Sequence, residues 1–322
     1  MLSVRVFQVN SHFLVKHKRF YANSFAYAIF RTFEFPSSCI ESLLSATHSA
    51  FHIPWWVVIA TTTLTIRAVV TLPLHIHLQK NQAKVEVAFA EVDAFRQPLE
   101  HRIIAKCRNE GLHIDIANKK LKQAFHELKG DILAKHHINM KYYRIKAYLS
   151  PFIQLPLFIS ISLAIRNLTG ALPDWYKVTS IIPSMKEEGL GWFHDLTLAD
   201  PYYLMPGIIL VSNLLNISIY SKQVQKRSIA LAIVHNFFRF MTIAMASAST
   251  QLPAGIALYW MLSSCYGLFQ NVLFKYSRVR RIFGIPKSKS ESENPIRDLL
   301  HTYKSEWTGF LQKQRDYHSQ LK

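Results

Sequence analysis

The chain has 322 residues, half of them hydrophobic, and a formal net charge of +18 at pH 7. Its apolar residues gather into blocks of about 20, the length that crosses a bilayer, which argues against an ordinary soluble domain. The basic balance admits either nucleic acid or an anionic membrane as a partner, and the distribution of the charge decides between them.

Residues 1–21 have the composition of a mitochondrial transit peptide: they are basic, aromatic and free of acids, and no acid occurs before Glu34. Arg19-Phe20-Tyr21 followed by Ala22 resembles a matrix-protease cleavage site. We therefore predict a transit peptide over 1–21 and an intermembrane-space segment over 22–52. The alternative is a retained disordered arm.

Five segments are long and apolar enough to cross a membrane. They cover about 53–74, 148–168, 202–220, 229–249 and 254–274. We assign the first transmembrane helix to 53–78 and the other four to 148–275, followed by a tail over 276–322.

Two span ends carry recognisable start signals. Trp55 and Trp56 follow Pro54, and paired tryptophans are expected to anchor a helix at the level of the lipid headgroups. Asp200 precedes Pro201, which predicts an aspartate N-cap and a proline at the first helical position of the third span.

The connections between spans alternate in charge. Lys and Arg outnumber Asp and Glu by 14 to 8 over 79–147, by 3 to 0 over 221–228 and by 11 to 5 over 275–322, whereas 169–201 has 2 against 5. Positively charged connections stay on the negative side of the membrane. This predicts an N-terminus in the intermembrane space and a C-terminus in the matrix, and nucleic acid is not needed to explain the charge.

The 79–147 connection contains two apolar stripes at helical spacing, separated by Asn109-Glu110-Gly111. The stripe residues are Val85, Phe89, Val92, Phe95, Leu99 and Ile103, then Ile114, Ala117, Leu121, Phe125, Leu128 and Ile132. The fold class predicted for the chain is thus all-α, a polytopic membrane protein with five transmembrane helices and a matrix-side antiparallel helical hairpin. The basic residues between the stripes, Arg96 among them, are expected on the outer face of the hairpin, either against anionic lipid or in contact with substrate.

Arg67 is the most informative residue of the first span. It lies 12 residues after Trp55, about 18 Å into the membrane, and Thr63 and Thr71 share its helix face. An arginine at this depth is costly unless it faces protein or water, and the five spans contain no Asp or Glu. Arg67 either snorkels or pins the bundle through helix carbonyls, or it sits in a hydrated groove.

Polar residues of other spans match this face. They are Gln154 and Ser160 in the second span, Asn213 and Asn216 in the third, and Tyr259, Ser263 and Ser264 in the fifth. With Arg67, Thr63 and Thr71 they form the predicted substrate groove. Arg166 and Arg239 are expected to reach an interface by snorkelling.

No catalytic or nucleotide-binding motif occurs, and the three cysteines and 15 histidines show no metal-ligand spacing. We therefore expect no enzyme activity, no cofactor and no metal.

The chain resembles the YidC/Oxa/Alb family of membrane insertases. The similarity rests on five stretches: Arg67 running into Thr71-Leu-Pro73, the basic hairpin, Ser150 to Pro156, Gly191 to Tyr203, and Leu252 to Trp260. It covers about residues 50–285. The short tail and transit-like start are most similar to the mitochondrial cytochrome c oxidase assembly branch. Arg239 departs from a fourth span expected to be largely apolar.

The resemblance implies an inner-membrane insertase that exports a domain of cytochrome c oxidase subunit 2, with inner-membrane lipids and possible assembly factors as further partners. It also implies that Arg67 is the groove arginine. Two other functions remain open: a solute carrier or channel with Arg67 as an anion site, and an assembly scaffold that translocates nothing. Carriers usually show an internal repeat, which the five spans lack.

Overall fold

The computed structural model describes residues 11–171, 182–223, 229–288, 291–298 and scattered positions up to 312. The start of the predicted transit peptide, most of the 221–228 connection and the end of the tail lie outside these residues. The described part is helical, and its only β-pairings are isolated bridges.

The helices follow the chain in this order: α1 Ser11–Phe51, α2 Trp55–Ile66, a π-helical turn Arg67–Thr71, α3 Leu72–Asn109, α4 Ile114–Lys135, α5 Met140–Leu168, a 3-10 turn Pro183–Lys186, α6 Leu204–Gln223, α7 Ile229–Ser249, α8 Ala254–Leu273 and α9 Ser277–Ile282. Among the described residues one helical stretch, 55–109, is long and apolar enough to cross a membrane, with a mean hydropathy of 1.7 in its most apolar window. Shorter apolar helices cover Gln154–Leu168 and Leu204–Ile219.

The chain divides into two compact units. The first comprises Met1–Thr62, Ile153–Pro206 and Ser247–Trp260, and the second comprises Thr63–Phe152, Gly207–Ala246 and Met261–Lys322.

In the first unit, Trp55 is a buried structural residue and not a headgroup anchor. It is 1% exposed and its ring stacks on His48 at 4.4 Å. Its indole N–H donates to Ser184 Oγ at 2.8 Å, and its backbone N–H donates to Glu188 Oε2 at 3.1 Å. The prediction for Trp55 was wrong because the connection before α6 folds over the start of α2 and covers the ring.

Asp200 caps the third apolar helix from further back than predicted. The helix begins at Leu204, so Pro201 lies in the preceding turn, and Tyr203 has a positive φ of 55°. Asp200 Oδ2 accepts from the backbone N–H of Met205 at 2.7 Å, and the Trp192 indole donates to Oδ1 at 3.1 Å. The aspartate thus satisfies a free N–H of the helix end, as a cap does, while also holding the connection in place.

The same connection holds the start of α8. The backbone N–H groups of Ala254 and Gly255 donate to the carbonyls of Leu198 and Leu196 at 2.6 and 3.0 Å. A Cβ at Gly255 would lie 3.4 Å from the Leu196 carbonyl oxygen, so a side chain there would be tight. The first helical N–H groups, which lack partners within their own helix, are satisfied by this loop.

In the second unit, α3 and α4 lie side by side in opposite directions on either side of Gly111, which has a φ of 64°. Ala88, Ile132 and Ile138 form their buried core. Glu91 pairs with Lys135 at 2.6 Å and with His136 at 2.7 Å. The hydrogen bond from Lys135, and after it the one from His136, lowers the pKa of the Glu91 carboxyl. These ion pairs therefore stabilise the fold above the ordinary pKa of a glutamate, and the stabilisation is lost as the pH falls through the lowered pKa.

Two residues predicted in the stripes are in fact exposed: Phe95 by 51% and Ile114 by 69%. Arg96, expected on the outer face, is exposed, and its guanidinium also lies over the Phe125 ring at 5.5 Å. In a helix with 3.6 residues per turn, position 96 lies closer than position 95 to the face that carries Val92. The aliphatic stem of an arginine can cover apolar surface as a hydrophobic residue does.

The start of the predicted tail packs against α3. Phe274 and Ile285 pack with Ala83 of α3. Arg280, 2% exposed, donates to Ser288 Oγ at 2.8 Å and to Gln79 Oε1 at 3.3 Å. The chain that follows α8 is therefore fastened to the beginning of α3.

Ile132→Ala should destabilise the packing of α4 on α3 by about 2–4 kcal/mol, because it opens a cavity in a core where Ile132 is 5% exposed. The matched change Ile114→Ala, at an exposed position of the same helix, should cost less than about 0.5 kcal/mol. Hydrogen exchange of the α4 amides in the full chain measures both. Equal exchange in the two variants would contradict the observed core.

Candidate functional site

The ten predicted groove residues divide between the two units. Gln154, Ser160 and Tyr259 belong to the first, and the other seven belong to the second. None of the ten is exposed. Polar side chains on apolar helices thus face protein.

Arg67 opens a π-helical turn that the sequence pattern did not predict. The backbone N–H of Leu72 donates to the Arg67 carbonyl five residues back, and Thr71 Oγ1 donates to the same oxygen at 2.7 Å. Such turns insert one extra residue into a helix and are frequent at functional sites. Thr71 is 8% exposed, and the bond to the Arg67 carbonyl satisfies its buried hydroxyl within the turn.

The guanidinium of Arg67 is bound to α8. Its Nε donates to Ser263 Oγ at 3.0 Å, and its Nη2 donates to the same oxygen. Ser263 is 3% exposed, whereas Arg67 is half-buried. A serine hydroxyl is neutral, so this contact orients the guanidinium without cancelling its positive charge.

Helix α8 also forms polar contacts with α6. Asn271 Nδ2 donates to Asn216 Oδ1 at 2.9 Å, and Ser212 Oγ lies 3.6 Å from Cys265 Sγ. A Cβ at Gly267 would lie 3.8 Å from Asn216 Nδ2. We call this set, Ser212, Asn216, Cys265, Gly267 and Asn271, the α6–α8 polar seam. Of its members only Asn216 was among the predicted groove residues.

The remaining predicted residues of the second unit lie near these contacts in sequence. Thr63 is 2% exposed, one turn before Arg67 on α2, and Ser264 is 8% exposed beside Ser263. Asn213 is half-buried on α6.

In the first unit the predicted polar residues are arranged differently. Tyr259 is 3% exposed, and its ring lies 5.4 Å from that of Phe158. The Ser160 hydroxyl donates to the Pro156 carbonyl of its own helix at 2.8 Å, and Gln154 is half-buried. The Trp260 indole donates to Ser162 Oγ at 3.0 Å, a contact not predicted from the sequence.

The two lesser arginines differ in their surroundings. Arg166 Nε donates to the Ala171 carbonyl at 2.6 Å, just beyond the end of α5. This is the expected position for a basic side chain, which can hydrogen-bond carbonyls at a helix C-terminus. Arg239 is exposed at the middle of α7.

The described side chains of this site are hydrogen-bond donors and acceptors and one cation. Among the residues that the structure describes, no three His, Cys, Asp or Glu side chains form a group that could hold a metal ion. What the site offers is an oriented cation between apolar helices, with amide and hydroxyl groups along one neighbouring helix pair.

The helical fold and the long apolar stretch that contains Arg67 are consistent with a helical membrane protein. Residues 46–281 match the 60Kd inner membrane protein family, and the chain belongs to that family. The match covers the whole stretch from the end of α1 to α9, and it agrees with the resemblance to the YidC/Oxa/Alb insertases.

Curated relatives lie in two groups. The mitochondrial cytochrome c oxidase assembly protein COX18 of Mus musculus is 31% identical over 265 residues, which cover 82% of this chain and 78% of that protein. The same protein of Homo sapiens is 29% identical over 273 residues, covering 84% and 80%. The mitochondrial inner membrane protein OXA1L of Bos taurus is 27% identical over 275 residues, covering 84% of this chain but 56% of the relative.

Ser263→Ala should lower the free energy of unfolding by about 1.5–3 kcal/mol, because it removes a buried hydroxyl that accepts hydrogen bonds from a charged donor. Ser160→Ala is the matched control. Ser160 is equally buried, at 3%, but among the described residues its hydroxyl bonds only the Pro156 carbonyl of its own helix, so the change should stay within about 0.5 kcal/mol. Denaturant unfolding of the purified chain in detergent, followed by tryptophan fluorescence, compares them. Equal losses would contradict a special role for the Arg67–Ser263 contact.

Proposed function

We propose that this chain is a membrane protein insertase of the mitochondrial inner membrane, and that it exports a domain of cytochrome c oxidase subunit 2 through a hydrated groove beside Arg67. The observation that carries the proposal is the half-buried guanidinium at the π-helical turn, held by the neutral Ser263 hydroxyl. Family membership supports the general activity, and the similarity to relatives named for cytochrome c oxidase assembly supports the client.

The proposed arrangement has five membrane-spanning segments: α2 with the π-helical turn and the first turns of α3, the apolar part of α5, and α6, α7 and α8. The pair α3 and α4 is the matrix-side helical hairpin, and the N-terminus faces the intermembrane space. The alternation of basic and acidic connections supports this orientation. The clustering of buried polar side chains on α2, α6 and α8 supports a polar interior.

The proposed mechanism follows from the cost of moving polar groups through hydrocarbon. Each unsatisfied backbone group in lipid costs several kcal/mol, so a groove that holds water shortens the expensive part of the path. Arg67 keeps such a groove hydrated and attracts acidic stretches of the segment in transit. The step requires no nucleotide and no covalent intermediate.

The test uses the purified chain in liposomes, with a single-span client whose exported domain is rich in Asp and Glu and a matched client with those residues neutralised. Arg67→Ala should slow export of the acidic client about tenfold and that of the neutralised client much less. Arg67→Lys should retain most of the activity, because it keeps the charge while losing the planar fork.

Abundance of the variant in the membrane is the control for folding. If Arg67→Ala lowers abundance and slows both clients equally, Arg67 is a packing residue and the groove proposal fails. If the wild-type chain exports neither client but conducts solutes, it is a carrier or channel instead.

A further inference from the structure

Helix α7 has a surface that the groove does not use. From Ala232 through Met241 every residue except His235 is exposed. The exposed fraction is 55% for Phe237, 50% for Phe238 and 63% for Phe240. A bilayer accounts for exposed apolar side chains on a spanning helix, but it does not account for the polar residues among them.

Three of those residues form one polar face. His235 and Asn236 lie four and three residues before Arg239, the spacings at which helix side chains are neighbours. Asn236 and Arg239 are exposed, and His235 is half-buried. Within the part of the chain that the structure describes, Arg239 makes no hydrogen bond or ion pair.

Arg239 lies too far from either end of α7 for its side chain to reach the membrane surface by snorkelling. It lies ten residues from Ile229 and ten from Ser249, the two ends of α7. At 1.5 Å per residue each end is about 15 Å away, further than an arginine side chain extends. A cation this deep is stabilised by a partner inside the membrane, so the sequence-based expectation for Arg239 does not fit its place on the helix.

We propose that the His235–Asn236–Arg239 face of α7 binds a membrane-spanning helix of a second protein that carries an Asp or Glu near its middle. Charge complementarity selects this occupant, because a carboxylate accepts two hydrogen bonds from a guanidinium and each ion offsets the burial cost of the other. Phe238 and Phe240, which flank this face, provide apolar packing beside the pair. The proposal rests on the five-span arrangement proposed above.

Two other occupants fit less well. A second copy of this chain has no Asp or Glu in any of its five predicted spans, so it offers no carboxylate at this depth. A lipid phosphate lies at the membrane surface, about 15 Å from Arg239 along α7.

The test places the full chain in phosphatidylcholine vesicles with a synthetic polyleucine helix that has one central Asp, and compares it with the all-leucine helix by energy transfer. The Asp helix should associate about tenfold more tightly than the leucine helix. Arg239→Leu should remove the difference, and Arg239→Lys should keep most of it. Equal association of both helices with the wild-type chain would overturn the proposal.

Two further results would also overturn it. A preference for the Asp helix that survives Arg239→Leu but disappears in Arg67→Ala would assign the binding to the groove. Labelling of α7 by a photoactivatable phosphatidylglycerol that requires Arg239, with no preference between the helices, would assign Arg239 to lipid.

The five-span arrangement is checked in the same vesicles with Phe240→Cys. Protection of this thiol from a membrane-impermeant maleimide supports an embedded α7, and free labelling overturns both the arrangement and the docking surface. A chain that prefers the Asp helix through Arg239 but exports no client supports this inference and counts against the proposed insertase activity alone.

Discussion

The contact between Arg67 and Ser263 is the interaction on which the proposed groove depends. A guanidinium within an apolar helical stretch costs from about 2.5 to more than about 10 kcal/mol unless it meets polar groups or water. The π-helical turn offsets part of the local disturbance, because the Thr71 hydroxyl and the Leu72 N–H both bond the Arg67 carbonyl. The Ser263 hydroxyl then fixes the direction of the side chain.

Helix α8 is the element through which these contacts are organised in the second unit. One face carries Ser263 and, three turns later, Phe274, whose ring packs edge-on against His75 at 5.0 Å. The turns between them carry Gly267 and Asn271 of the α6–α8 polar seam, and Asn271 donates to Asn216. In the first unit the start of the same helix is held by the carbonyls of Leu196 and Leu198. A groove needs rigid walls, and α8 is held by hydrogen bonds at both its start and its middle.

The extent of the apolar helices was largely predictable from the sequence. The bounds predicted for the 229–249 and 254–274 segments match those of helices α7 and α8 within one residue, because apolar runs of this length favour a helix. The burial of Ser263, Ser264 and Thr63 also follows from the rule that polar residues on such helices turn away from lipid.

The failures have particular causes. The π-helical turn at Arg67 depends on whether the backbone N–H of Leu72 bonds the carbonyl four or five residues back. The spacing of apolar and polar residues does not distinguish these two hydrogen bonds. Trp55 was misplaced because its cover comes from residues 184 and 188, far away in the sequence. The partners of Arg280 were not predicted, since the charge of the tail does not reveal a contact with Gln79, about two hundred residues earlier. Long-range contacts are the common element in these last two errors.

Site-specific crosslinking from α6 tests the central claim most directly. A photoreactive amino acid at the half-buried Asn213 faces the proposed groove, and one at Val211, 57% exposed on the same helix, serves as the matched control on the lipid side. In mitochondria that are synthesising their own proteins, position 213 should crosslink to a newly made membrane protein while it is being exported, and position 211 should crosslink mainly to lipid. Client crosslinks of equal yield from both positions, or from neither, would contradict a groove lined by Arg67, Asn213 and Ser263.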